Sequence, residues 1–239
     1  MHARVSTTPA PAGSPAVVLI HGLVVSSRYM VPTAERLAPH HKVYVPDLPG
    51  FGRSEKPSSV LDVSGLSHSL AAWMGAVGLE SAVLVGNSVG CQVIAELALR
   101  HPERVERAVL QGPTMDPEAR TALRQAARLA LAGTREPLSL LPIMLLDYLS
   151  AGLRRSFATF RYALEDPIEE KLPRVRVPTL VVRGARDPIV PQRWAEGVAR
   201  LLPEGRLVVV PGAAHTMNYG APSELARVVR AFVREGGER

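Results

Sequence analysis

The sequence predicts an α/β fold: one doubly wound, mostly parallel sheet of about six strands, with a helical segment over residues 114–174 inserted after the third strand from the C-terminal side. Along most of the 239 residues, short apolar runs alternate with segments of helical period. That is the pattern of parallel strands joined by crossover helices. Polar and glycine-rich residues fall just past the C-terminal ends of the apolar runs, where open parallel sheets build their sites. Between residues 114 and 174 the alternation stops, and helix-like segments follow one another. With 46% apolar residues, a chain of this length can bury one large core, and a single domain over residues 1–239 is expected.

Taken in order, residues 1–15 read as a Pro/Ala-rich tail without structure. Ala16-Val17-Val18-Leu19-Ile20 is the first long strand and ends at His21-Gly22-Leu23. A helix over residues 27–37 leads to a strand over 42–46. A helix over 66–77 follows, with Leu66, Leu70, Trp73, Met74 and Val77 on one face. Ala82-Val83-Leu84-Val85 then runs into Gly86-Asn87-Ser88-Val89-Gly90 and a helix to residue 100. Ala108-Val109-Leu110 is the next strand. In the insert, Asp116-Pro117 opens one helix that Gly133 can close; residues 137–149 form a second, 153–164 a third, and Asp166-Pro167 opens a short fourth. Strands Thr179-Leu180-Val181-Val182 and Leu207-Val208-Val209-Val210 follow, and a last helix carries Leu225, Val228, Val229 and Phe232 at helical spacing.

The serine in Gly86-Asn87-Ser88-Val89-Gly90 lies on a sharp strand-to-helix turn, which lifts its hydroxyl clear of the backbone. A nucleophilic Ser88 needs a base and a group that orients the base, in the chain order Ser, Asp or Glu, His. Asp187 and His215 both fall just past a buried strand, on the same sheet edge as Ser88. His215 would take the hydroxyl proton and later deliver it to the leaving group, while Asp187 would hold the imidazole's tautomer. Asp116 follows another strand and is a rival acid, although Asp116-Pro117-Glu118 reads better as a helix start. His2, His40, His41, His68 and His101 lie on the tail, in loops or on helices, where solvated or packing roles are expected. An oxyanion would meet the amides of Val89 and Leu23. His21 is expected to brace its loop by hydrogen bonds.

Taken together, His21-Gly22, Asp47-Leu48-Pro49-Gly50-Phe51-Gly52-Arg53-Ser54, Gly86 to Gly90, Gly184 to Pro191 and Gly212 to His215 resemble an α/β-hydrolase-fold serine hydrolase. The resemblance implies that the insert is a cap over the site and that Asp47 is structural. Family members usually begin with an antiparallel hairpin, for which this chain leaves little room. A serine nucleophile favours esterases, lipases, thioesterases, lactonases and carbon-carbon bond hydrolases over dehalogenases and epoxide hydrolases. In size, fold and cap the chain resembles pimeloyl carrier-protein methyl ester esterases, whose cap arginines hold an acidic carrier protein. Asn87 also resembles the carbon-carbon hydrolases of ring-cleavage products. Those typically have a Trp after the catalytic His and a glycine-richer loop after His-Gly, where this chain has Thr216 and Leu23-Val24-Val25. The expected activity is hydrolysis of small to medium hydrophobic carboxylic esters, with carbon-carbon hydrolysis as the alternative. A non-turnover small-molecule receptor of the same fold is a third reading.

The insert's Leu138, Leu141, Ile143, Met144, Leu145, Leu149, Phe157 and Phe160 exceed what a polar lid requires. Part of them would pack the helices together and part would roof a pocket over Ser88. Leu141 and Met144 are the expected wall above, Val24, Val25, Ile189, Val190 and Met217 the wall below, with Asn87 beside the nucleophile. Arg120, Arg124 and Arg128 recur every fourth residue, which fits a solvated face. The stripe also fits a site for an acidic carrier protein or an anionic substrate.

The net charge of +6 comes with scattered arginines, 5% aromatics and no nucleic-acid motif, so nucleic acid is not an expected partner. No apolar run approaches the roughly 18 residues of a membrane span, and no secretory segment is legible. A cytoplasmic protein without a membrane partner is expected. Cys91 permits no internal disulfide and reads as a packing residue. No cofactor and no metal is implied.

Overall fold

In the computed structural model, which describes residues 1–235, the apolar runs form the strands of one seven-stranded sheet. The chain runs β1 (Ala3–Val5), β2 (Val17–Ile20), α1 (Val31–Leu37), β3 (Val43–Pro46), α2 (Val63–Ala76), β4 (Ala82–Asn87), α3 (Val89–Arg100) and β5 (Val105–Gln111). It then enters the insert, α4 (Ala122–Gly133), α5 (Leu141–Ala151), α6 (Leu153–Glu165) and α7 (Ile168–Lys171). The sheet resumes with β6 (Thr179–Gly184), α8 (Gln192–Leu201) and β7 (Gly205–Val210), before α9 (Met217–Gly220) and α10 (Pro222–Arg234). The strand order is β1-β3-β2-β4-β5-β6-β7.

Strands β2 to β7 are parallel throughout, and β1 lies antiparallel on β3 with Ala3 opposite Pro46 and Val5 opposite Tyr44. The expectation that residues 1–15 lack structure is therefore corrected, and the sheet has seven strands. Residues 1–15 supply one short edge strand in place of the usual hairpin. Its partner fixes it: the Ser6 amide donates to Val43 O and the Asp47 amide to His2 O, both at 2.9 Å. Arg4 and Val5 stay exposed, so no apolar period marks the strand in the sequence.

Because the parallel strands are covered on both faces, they read as unbroken apolar runs. Val18, Ile20, Leu84, Leu110 and Val181 face a core built with α2, α3 and α8, including Leu70, Met74, Ile94, Leu97 and Trp194. Val17, Leu19, Val83, Val85, Val109, Leu180 and Val182 face the opposite core, which α1 and α10 complete with Leu37, Leu225, Val229 and Phe232. Val77 is the exception in α2: it stands at the C-cap and is exposed, since the helix has ended before the face returns to the sheet. Among the described residues no single helix is long and apolar enough to cross a membrane.

The sheet's centre and the helix after β4 are in close backbone contact. A Cβ on Gly90 would stand 2.6 Å from the Ile20 carbonyl oxygen and 2.9 Å from that of His21. Backbone lies on both sides, so no side-chain rotation relieves the clash. Gly90→Ala is expected to push α3 away from the end of β2 and to lower stability by about 1–3 kcal/mol, the cost of overpacking a dense interior. Urea unfolding measures this, and an unchanged midpoint would mean that α3 can retreat freely.

Candidate active site

The β4-to-α3 turn holds Ser88 at φ 56° and ψ −119°. A side chain in that region costs roughly 1–3 kcal/mol and persists only where the surroundings enforce it. Here the Ser88 amide donates to Gln111 O at 3.0 Å and the Cys91 amide to Ser88 O at 2.9 Å. The hydroxyl is left partly exposed at the start of α3, where the first amides of the helix, Val89 among them, have no carbonyl behind them. Cys91 is fully buried, and burial pushes its thiol well above the ordinary range, so it stays protonated.

His215 follows β7 and Asp187 follows β6. The imidazole Nδ1 donates to Asp187 Oδ2 at 2.8 Å. The other carboxylate oxygen accepts the amides of Ile189 at 2.8 Å and Val190 at 3.1 Å. Gly112, at φ 59° just past β5, leaves room for this pair: a Cβ there would stand 3.0 Å from the imidazole. Ser88 and His215 line the same cavity, of about 150 Å³, whose other walls are mostly apolar. A dry cavity of that size accommodates a ring such as benzene.

A family model described as the alpha/beta hydrolase family matches residues 17–228. The chain belongs to the alpha/beta hydrolase family. It is 28% identical to a putative carbamate hydrolase RutD of Caulobacter sp. (strain K31), over 91% of this chain and 90% of that protein. A pimeloyl-[acyl-carrier protein] methyl ester esterase of Pectobacterium atrosepticum is 28% identical over 93% and 96%. A 2-hydroxymuconate semialdehyde hydrolase of Pseudomonas putida is 29% identical over 81% and 77%.

In this family member the structure brings together most, but not all, of the expected site residues. Ser88, His215, Leu23, Leu141, Met144 and Ile189 line the cavity, and Asp187 stands behind His215. Val24, Val190 and Met217 do not, which corrects the expected lower wall. Val24 turns at φ 52° into the core, Val190 is fully buried with its amide on Asp187, and Met217 packs into the α1/α10 core. Val25 lines the cavity as expected, and Leu129, Leu140 and Tyr148 complete the wall. Asn87 borders the cavity, but its amide is fully used on protein: Oδ1 accepts Tyr29 Oη at 2.6 Å, and Nδ2 donates to Gln111 Oε1 at 2.8 Å and His215 O at 3.2 Å. It positions rather than binds.

Asp116 is 1% exposed and lies in a different place from His215. It accepts the Glu118 amide at 3.1 Å, Arg128 Nη1 at 2.9 Å and Arg193 Nη2 at 2.7 Å. The arginine stripe is likewise engaged within the chain: Arg120 pairs with Glu169, Arg124 Nη1 donates to Glu118 O at 2.6 Å, and Arg128 holds Asp116 and Ile189 O. Arg124 stays exposed, as a solvated face predicts, while Arg120 and Arg128 are partly buried in ion pairs, so the stripe is not a free anion site. His21 acts as a brace, its Nε2 accepting the Leu48 amide at 2.9 Å and its Nδ1–H facing Gly22 O at 3.0 Å. Burial lowers its pKa, so the imidazole is neutral.

Three residues of the site have no local signal in the sequence, and a fourth, Gln111, has a weak one. Tyr29 accepts the Gly22 amide at 2.7 Å and so carries the β2 loop to Asn87. Gln111 Nε2 donates to His215 O at 2.6 Å. Arg183 straps the Asp187 loop through Val190 O at 2.6 Å and Asp187 O at 3.1 Å. Glu136, from the insert, accepts the Thr216 amide at 2.9 Å and also bonds the Thr216 hydroxyl. Gln111 was the most legible of the four, a polar residue closing an apolar strand.

Burial by itself would lower the His215 pKa, but the charge and hydrogen bond of Asp187, joined by the charge of Glu136, outweigh it and raise the pKa. Both carboxylates favour the imidazolium. NMR titration should therefore find His215 protonating above the ordinary 6.5. Asp187→Asn should lower that midpoint strongly, and Glu136→Gln by less. A midpoint unmoved by Glu136→Gln would mean that solvent screens the insert's carboxylate from the imidazole.

Proposed function

We propose that this hydrolase cleaves carboxylic esters of small to medium hydrophobic acyl or aryl acids through an acyl-enzyme on Ser88. The observation that carries the reading is the opening of a strained serine and a carboxylate-held histidine into one small, apolar cavity. Ser88 Oγ attacks the ester carbonyl as His215 Nε2 takes its proton, with Asp187 keeping the Nδ1–H tautomer. The Val89 and Leu23 amides receive the oxyanion, strengthened by the positive end of α3. The tetrahedral adduct collapses as His215 protonates the departing alcohol, and water then repeats the steps in reverse to release the acid. The insert acts as a cap: Leu129, Leu140, Leu141, Met144 and Tyr148 enclose the group bound over Ser88.

The relative named as a methyl ester esterase supports ester cleavage in a chain of similar length. The relative named as a semialdehyde hydrolase keeps carbon-carbon cleavage as the second reading. Thr216, tied to Glu136 beside His215, and the Leu23-Val24-Val25 loop weigh against it. Recruitment of an acidic carrier protein by Arg120, Arg124 and Arg128 loses its support, because those side chains already have partners.

A panel of p-nitrophenyl esters should show steady turnover with an optimum among short acyl chains, and Leu141→Ala or Met144→Ala should shift that optimum to longer ones. Ser88→Ala should lower kcat by about 10⁴ to 10⁶ while the protein remains folded. Asp187→Ala should be severely impaired and Asp116→Ala should act mainly on stability. A single turnover with tightly held product would favour the receptor reading, and a tenth of parental activity in Ser88→Ala would sink the nucleophile.

A further inference from the structure

Helix α5 is inverted. Its one acid, Asp147, is buried and accepts Ser26 Oγ at 2.7 Å, while Leu145, Leu146 and Leu149 face water. The exposure continues on both sides of the helix: Leu138 precedes it, and Leu153, 90% exposed, and Phe157, 72% exposed, follow on α6. So many large apolar side chains in the open mark a surface that something covers. The surface runs into the cavity mouth, because Leu129, Leu141 and Tyr148 are both exposed and part of the cavity wall.

The charge around this face is predominantly positive. From residue 122 to residue 161 the acids are Glu136 and Asp147, one bonded to Thr216 and the other buried. Arg154 and Arg161 lie three and four residues either side of Phe157 on α6, so all three share a helical face. Both arginines are exposed, and Arg161 stands 3.7 Å from the exposed Glu165. Lys56 adds a cation at the end of α5, bonded to Ser150. Apolar side chains flanked by the exposed cations of Arg154 and Arg161, against the one exposed carboxylate of Glu165 at the end of α6, match an anionic lipid surface. A second copy of a chain with net charge +6 would bring like charges together.

We propose that the exposed face of α5 and α6 docks peripherally on anionic phospholipid, with the cavity mouth turned toward the lipid. Such docking needs no spanning helix, which is why the expectation of no membrane partner, drawn from the lack of a span, does not reach it. Docking is independent of the chemistry at Ser88. Only the corollary, that apolar esters partition from the lipid into the cavity, rests on the ester-hydrolase reading.

Co-sedimentation of the full chain with vesicles tests the proposal, using phosphatidylcholine alone and phosphatidylcholine mixed with phosphatidylglycerol. The protein should bind the mixed vesicles, and added salt should weaken that binding. Combining Leu145→Ser, Leu149→Ser, Leu153→Ser and Phe157→Ser should lower partitioning at least about tenfold, since each removes apolar area from the docked face. Hydrolysis of a short soluble p-nitrophenyl ester, or an unchanged circular dichroism spectrum if no ester is turned over, establishes that the variant is folded. The smaller change Leu149→Ser with Phe157→Ser serves if it is not. Arg154→Glu with Arg161→Glu should abolish the preference for phosphatidylglycerol. No binding to mixed vesicles, or equal binding by the leucine variants, overturns the proposal. So does a dimer in sedimentation that the leucine variants dissolve, which would give the face to a second copy. An acidic carrier protein bound through these leucines, without vesicle binding, would overturn it in favour of a protein partner.

Discussion

The carbonyl oxygen of His215 accepts from Gln111 at 2.6 Å and from Asn87 at 3.2 Å, and the site's geometry depends on that shared contact. It fastens the loop after β7 to the ends of β4 and β5, two strands closer to the sheet centre. Both donors sit on rigid strands, and Asn87 is itself fixed by Tyr29, which also holds the Gly22 amide. One buried amide network thus sets the relative positions of the β2 loop, the serine turn and the histidine loop. In a low-dielectric interior each of these groups would be costly to leave unpaired, so the network resists partial opening.

Above this frame, the insert contributes in two physical ways. Its apolar residues close the cavity and set its size near 150 Å³. Its one carboxylate at the cavity, Glu136, bonds Thr216 and reaches the neighbouring imidazole through its field. Displacement of the insert would therefore enlarge the pocket and alter the histidine's proton affinity together. Two of the insert's arginines are structural ties: Arg120 pairs with Glu169, and Arg128 joins α4 to Asp116 and to the loop that carries Asp187. In the stripe that spacing alone would assign to solvent or to a partner, Arg124 does face solvent and Arg120 and Arg128 act as braces.

The sequence by itself determined the alternation of strands and helices, the order of the six parallel strands in the chain, the strained turn at Ser88 and the strand-end placement of Asp187 and His215. Each is encoded locally, in apolar period, glycine placement or a residue's distance from a strand end, and local signals survive without a neighbour. The short strand Ala3–Val5 was not legible because its hydrogen bonds come from β3 rather than from its own side chains. Tertiary structure alone decided that Val24 and Met217 enter the core while Leu129 and Tyr148 reach the cavity. A one-residue rotation of backbone, as at the φ 52° of Val24, exchanges wall for core without changing composition. It alone decided that Glu136 meets Thr216, 80 residues later, and that α5 buries its acid and exposes its leucines. Both outcomes follow from which surface each helix lands on, and that is fixed by packing between segments distant in the chain.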